Sequence, residues 1–201
     1  MESVDFYYSI GSRYSYLAST QIDALEQETS CHVEWQPINS VRLIAQRELS
    51  PFDGKPVSGQ YEWDYRELDA KRWANLYGVP YYEPRERVDF DSELLAKACT
   101  AAKNFGKVKE YSCLLFAEMF RSSLPKIIDE KKCAAIAQIC DISGTDFQAV
   151  LTAQETTNQL DTTIDRAIQS GVFGVPTFIA SGQLFWGNDR IVLLRQHLLG
   201  I

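Results

Sequence analysis

One stretch near the amino terminus constrains the chain more than any other: Val4-Asp5-Phe6-Tyr7-Tyr8-Ser9, followed by Ile10-Gly11-Ser12-Arg13-Tyr14-Ser15-Tyr16-Leu17-Ala18. Its β-branched and aromatic residues predict a short buried strand, then a tight turn and the first turn of a helix with Ser12 as its cap. A dithiol redox protein built this way places a Cys-x-x-Cys pair at that strand-to-helix junction. Here the same spacing holds Ser12 and Ser15. A serine forms no disulfide, but its hydroxyl can donate a hydrogen bond to a thiolate carried by another molecule. The exchange turns the chemistry from disulfide transfer to the handling of a borrowed thiol.

The rest of the chain has three parts. Ser12 to about Ser30 carries Tyr16, Leu17, Ile22, Ala24 and Leu25 at helical spacing, and Cys31 to Ile38 alternates at period two, so the first 38 residues read as a βαβ unit. Pro51, Gly54, Pro56 and Gly59 mark a loop, and Tyr61 to Tyr77 reads as a helix closed by Gly78-Val79-Pro80. From Asp91 to about Leu160 the pattern is helical throughout, Ile127-Ile128 included. Gly171 to Gly187 then reads as a hairpin turning at Ser181-Gly182, and Asn188-Asp189-Arg190 as the cap of a last helix whose apolar face is Ile191, Leu194 and Leu198. The outer parts predict an α/β mixed sheet, residues 1–46 with 164–201, interrupted by a helical domain over 47–163.

Composition excludes several functions. The formal net charge of −7 disfavours nucleic acid as a partner, because phosphate binding needs clustered Lys and Arg. No apolar run approaches the ~20 residues of a membrane span, so no membrane partner is expected. The start of the chain lacks a basic segment followed by an apolar one, so a cytoplasmic location is expected. Five cysteines without a Cys-x-x-Cys read as free, mostly buried thiols, and the two histidines, His32 and His197, lie at no ligand spacing from them, so no metal is expected. The acidic segment Glu83 to Glu93 reads as a solvated face. Tyr14, Tyr16 and Trp186 read as core aromatics in preference to a pocket lining.

Four stretches together carry a resemblance: Phe6-Tyr7 through Ser12 to Ala18; Tyr65, Asp69 and Arg72-Trp73-Ala74 leading to Tyr77-Gly78-Val79-Pro80; Gly171-Val172-Phe173-Gly174-Val175-Pro176-Thr177; and Trp186-Gly187-Asn188-Asp189-Arg190. Over nearly its whole length the chain resembles the DsbA-like branch of the thioredoxin superfamily. Within that branch it is most similar to the 2-hydroxychromene-2-carboxylate isomerases and the kappa-class glutathione transferases. The resemblance implies a thioredoxin-like mixed sheet with a large all-helical insertion, glutathione as cofactor, a small aromatic-derived substrate and a homodimer. It implies that Ser12 contacts the glutathione sulfur. It implies that Val175, before the cis-proline Pro176, pairs its backbone with the cysteinyl part, and that Asn188 and Asp189 hold the γ-glutamyl end. Two positions depart from the family. Arg13 stands where a proline usually follows the serine, and Glu62 falls where a lysine helps hold glutathione, with Lys55 or Arg66 as substitutes.

The chemistry closes on the residues themselves. Lowering a thiol pKa by about two units requires about 2.7 kcal/mol of preference for the thiolate. A helix N-terminus supplies up to ~2 kcal/mol, and a hydroxyl bond to an ionised acceptor about 1.5–3. Ser12 offers both from one place. The expected activity is a glutathione-dependent isomerisation: reversible thiol addition to a conjugated carbonyl compound, ring opening and bond rotation. The alternatives are a kappa-like transferase, a thiol–disulfide oxidoreductase, and a non-catalytic DsbA-like binding module that has lost glutathione.

Overall fold

A computed structural model of the chain describes residues 2–46 and 62–201. The loop expected around Pro51 to Gly59, Lys55 within it, and the first residue of the helix expected from Tyr61 lie outside the described residues.

Strand β1 (Ser3–Tyr8) is the middle of the molecule. It pairs in parallel with β2 (His32–Pro37) on one side and antiparallel with β5 (Thr177–Ala180) on the other, and β5 pairs antiparallel with β6 (Gln183–Trp186). The sheet order is β2-β1-β5-β6. Because β1 is covered on both faces, its side chains divide between two cores. Val4, Phe6 and Tyr8 point to one side, where Phe6 stacks on Phe178 at 4.8 Å between ring centroids and meets Trp35 edge-on at 5.1 Å. Tyr7 points to the other, among Ile38, Leu43, Leu160 and Ile164. The sheet is therefore a middle layer with helices against both faces.

The helix expected as one piece from Ser12 to Ser30 is two, α1 (Arg13–Ser19) and α2 (Ile22–Thr29). The break has a local cause. The Ser19 and Thr20 hydroxyls each donate at 2.7 Å to carbonyls one turn back, those of Tyr16 and Leu17, and the Gln21 N–H donates to Ala18 in a tighter turn. Side chains that compete for helical carbonyls loosen the helix there.

After α3 (Ser40–Ala45), the described chain resumes with α4 (Trp63–Tyr77), ended by Gly78 in the left-handed conformation. The insertion then departs from the all-helical expectation. Between α4 and the helices α5 (Ser92–Asn104) and α6 (Val108–Phe120) comes strand β3 (Val88–Phe90), and it pairs in parallel with β4 (Lys126–Ile128). Ile127 and Ile128 are thus strand, not helix; three residues are too few for periodicity to separate the two states. Helices α7 (Glu130–Ile139) and α8 (Gly144–Thr152) follow, and α9 (Gln154–Gln169) runs back from the insertion onto β2 and α3.

The terminal hairpin turns at Ser181 and Gly182, both with positive φ, as two-residue turns require. Asn188–Arg190 is a turn of 3-10 helix leading into α10 (Ile191–Leu199), and it supplies no side-chain cap, contrary to expectation. Ile191 and Leu194 are buried as expected. All five cysteines are free and four of them are buried. Among the described residues no helix is long and apolar enough to cross a membrane, and no cluster of potential metal ligands occurs.

Candidate active site

Ser12 caps α1. Its Oγ accepts the Ser15 N–H at 3.2 Å, and its own N–H donates to the Ser9 carbonyl at 3.0 Å. With one lone pair occupied by the helix, the hydroxyl keeps its proton for another acceptor. Ser15, at the second position of the x-x spacing, is fully buried, and its Oγ accepts the Ser9 N–H at 3.4 Å. Of the two serines, only Ser12 reaches a cleft.

That cleft has a volume of about 450 Å³ and lies between the sheet's carboxyl end and the insertion. Gly11, Ser12 and Tyr14 line it together with Gly174, Val175 and Trp186, and the insertion adds Trp63, Arg66, Glu83, Arg85 and Phe90. The Val175–Pro176 peptide is cis. The Pro176 carbonyl accepts the Gly187 N–H at 3.0 Å, while the Val175 N–H and carbonyl have no partner among the described residues. Gly174 permits the aromatic wall: a Cβ there would stand 2.8 Å from Trp186 Nε1.

The expected site residues separate into two groups. Ser12 and Val175 both line the cleft. Asn188 and Asp189 lie beyond its lining. Asn188 is buried, its carbonyl accepting the Tyr77 hydroxyl at 3.2 Å and its Nδ2 donating to the same oxygen at 3.5 Å. Asp189 accepts from Arg190 at 2.9 Å. Gly187 is needed just before them because its φ of +115 is a conformation that L side chains rarely adopt. Glu62 is exposed at the start of α4, whereas Arg66, one turn further on, lines the cleft.

Sequence reasoning missed the electrostatics. Arg13 does not point into water: its side chain is 6% exposed, and one guanidinium nitrogen meets Glu83 at 3.3 Å. Glu83, expected on a solvated face, is nearly buried and also accepts the Tyr81 hydroxyl at 2.5 Å. Burial, reinforced by the hydrogen bond to Glu83, raises the Tyr81 pKa, and burial with the bond to Asp69 does the same for Tyr14, so both phenols stay protonated. No local signal joins Arg13 to Glu83, which are 70 positions apart. Of the three aromatics expected in the core, Tyr16 is there, its hydroxyl donating to the Pro80 carbonyl at 2.6 Å. Tyr14 and Trp186 line the cleft instead.

Comparison with known proteins agrees with this architecture. A 2-hydroxychromene-2-carboxylate isomerase of Pseudomonas putida is 26% identical over 203 residues, covering 97% of this chain and 93% of its own. The structure of a 2-hydroxychromene-2-carboxylate isomerase superposes with a TM-score of 0.82 at 23% identity, over 98% of this chain and 95% of the other. The cytosolic disulfide reductase DsbM of Pseudomonas aeruginosa, solved with GSH, superposes at 0.63 with 15% identity, over 98% and 99%. The model of the DSBA-like thioredoxin domain matches residues 3–199, and a mixed sheet flanked by helices on both faces accords with it: the chain belongs to the DSBA-like thioredoxin domain family.

Proposed function

We propose that the chain is a glutathione-dependent isomerase of the 2-hydroxychromene-2-carboxylate isomerase type. The observation that carries the reading is the state of Ser12: its Oγ already accepts the Ser15 N–H, and it lines, together with Val175, a cleft into which its hydroxyl proton can be donated. A Cys-x-x-Cys enzyme would present a nucleophile at that point. This chain presents a donor, and no cysteine is among the described residues lining the cleft.

The residues present fit a tripeptide thiol. The unpaired Val175 N–H and carbonyl form a short edge on which an extended peptide can add as a strand. Ser12 Oγ–H is the donor for the sulfur, and Arg66 is the cleft-lining cation nearest in sequence to the missing lysine. Asn188, held by Tyr77, and Asp189, paired with Arg190, are the candidates for the γ-glutamyl end. When bound, glutathione supplies a thiolate for reversible addition to a conjugated carbonyl compound.

The chain's own contribution is to hold negative charge on that sulfur. A hydroxyl donating to an ionised acceptor is worth about 1.5–3 kcal/mol, enough for one to two pKa units. Tyr14 and Trp186 supply flat apolar walls for an aromatic substrate. We further propose that residues 47–163 act as the substrate-side domain over a thioredoxin-like base of residues 1–46 and 164–201. Calorimetry with glutathione on the wild type and Ser12→Ala tests the cofactor assignment. Binding at sub-millimolar concentration is expected, with the thiolate absorbance of the bound tripeptide near neutral pH lost in the variant. An absence of binding at 10 mM sinks the reading.

A further inference from the structure

Two aromatic rings of the cleft rest on glycines. A Cβ on Gly11, the residue before Ser12, would stand 3.1 Å from both Cε2 and Cζ of Phe90. A Cβ on Gly174, the residue before Val175, would stand 2.8 Å from Trp186 Nε1. Both glycines and both rings line the cleft. Neither glycine has a positive φ, so what each position requires is room for a ring and not a special backbone. The Gly11 contact carries the more information, because it joins the insertion to the turn that bears Ser12.

Phe90 is firmly held. It is the last residue of β3 and pairs with Ile128 of β4. The next residue, Asp91, caps α5 by accepting the Glu93 N–H at 2.8 Å. Val88 and Phe90, two residues apart, share one face of the strand. Val88 is buried in the main core, and Phe90 packs partly buried against the same core. A ring carried between a paired strand and a capped helix is positioned more rigidly than a ring on a loop. Moving it aside also disturbs close-packed neighbours, which tolerate added bulk poorly.

We propose that Phe90 is a specificity-determining residue: its ring, seated on Gly11 beside Ser12, admits an organic substrate of two fused rings and rejects a homologue with a third. The inference rests on the cleft being the substrate pocket of the proposed isomerase, and narrows what that pocket accepts. The cleft volume of about 450 Å³ lies low in the range of about 300–1,000 Å³ typical of small-molecule sites. By the same reading it holds a tripeptide beside the substrate. A further fused ring must then displace Phe90 or remain outside the cleft.

The experiment is calorimetry on the full chain with two probes, 2-naphthoate and anthracene-2-carboxylate. Each carries one carboxylate, and they differ by one fused ring. Without a size limit the larger acid binds more tightly, because it buries more apolar area. In the wild type the two-ring acid is instead expected to bind at least tenfold more tightly. In Phe90→Ala that preference is expected to fall to twofold or less, or to invert. Circular dichroism confirms that each variant is folded; Phe90→Leu, which keeps an apolar side chain on β3, supplies the test should the alanine variant fail to fold, and should lower the preference at least threefold. A three-ring acid that binds the wild type as tightly as the two-ring acid, a preference that survives in the folded Phe90 variants, or no binding of 2-naphthoate at 1 mM overturns the proposal. Titrations with and without 5 mM glutathione separate the two readings. Glutathione binding with a preference indifferent to Phe90 removes this inference alone, and a Phe90-dependent preference without glutathione binding removes the cofactor assignment alone.

Discussion

Ser12 Oγ and the Ser15 N–H stand 3.2 Å apart, so one hydroxyl both caps the opening helix and keeps its proton for the cleft. The two roles separate by substitution. Ser12→Ala removes both and is expected to cost about 1 kcal/mol of stability from the lost cap, with isomerase activity falling at least a hundredfold. Ser12→Asp restores the cap but places a carboxylate where the sulfur anion would sit. It is expected to recover the melting temperature without recovering activity or glutathione affinity. Thermal unfolding beside an activity assay reads both, and an active Ser12→Asp would remove the hydroxyl from the mechanism.

The Tyr77 hydroxyl joins α4 to the Asn188 carbonyl at 3.2 Å, across 111 positions of sequence. Tyr77→Phe deletes the two hydrogen bonds this hydroxyl makes with Asn188, worth about 1 kcal/mol or somewhat more, without opening a cavity. If Asn188 and Asp189 hold the γ-glutamyl end, glutathione affinity should fall three- to tenfold, while a tripeptide analogue lacking the α-amino group should bind both proteins alike. Calorimetry with the two ligands checks it. Equal losses for both ligands would assign Tyr77 a purely structural role.

Much of the fold around the cleft was legible from the chain because its signals are local. The β1 pattern, the Ser12 cap and the Ser181-Gly182 hairpin each sit within a few residues, where propensity and turn chemistry act, whereas the cis Val175-Pro176 step followed only from the family resemblance. The split at Thr20 was not, because a hydroxyl choosing a carbonyl one turn back leaves the apolar stripe intact. The β3–β4 pair was invisible for another reason: each strand is only three residues long, and each exists through a partner about 38 positions away. Glu83 illustrates the largest gap. An acidic run reads as solvated until Arg13 and Tyr81 are folded against it, and nothing in the run itself encodes those partners.

The Tyr8 hydroxyl and Ser112 Oγ meet at 2.5 Å inside the core, tying β1 to α6, and Ser112 also reaches Cys99 Sγ at 3.4 Å. Removing one member leaves a buried phenol without a partner, which costs more than the bond itself is worth. Ser112→Ala should therefore destabilise by about 2 kcal/mol. Tyr8→Phe/Ser112→Ala, which leaves no orphan, should cost less than the sum of the single changes. A double-mutant cycle in urea measures it, and strict additivity would mean that water satisfies Tyr8.

Glu118 on α6 receives Lys126 from β4 at 2.9 Å and Lys132 from α7 at 2.8 Å, fastening the short second sheet to the helical layer. Burial alone would raise its pKa, but the two lysine hydrogen bonds outweigh burial and hold it below the ordinary 4.5. A carboxylate depressed in the folded state binds its proton more readily when unfolded, so its stabilisation is fully present above the unfolded value. It is lost as pH falls through the lower folded one. Glu118→Gln should thus cost about 1 kcal/mol at pH 7 and progressively less as the pH is lowered to 3 and the wild-type carboxylate takes up its proton. Urea unfolding at the two pH values measures the difference. A variant that stays equally destabilised in acid would show that Glu118 acts through packing and not through charge.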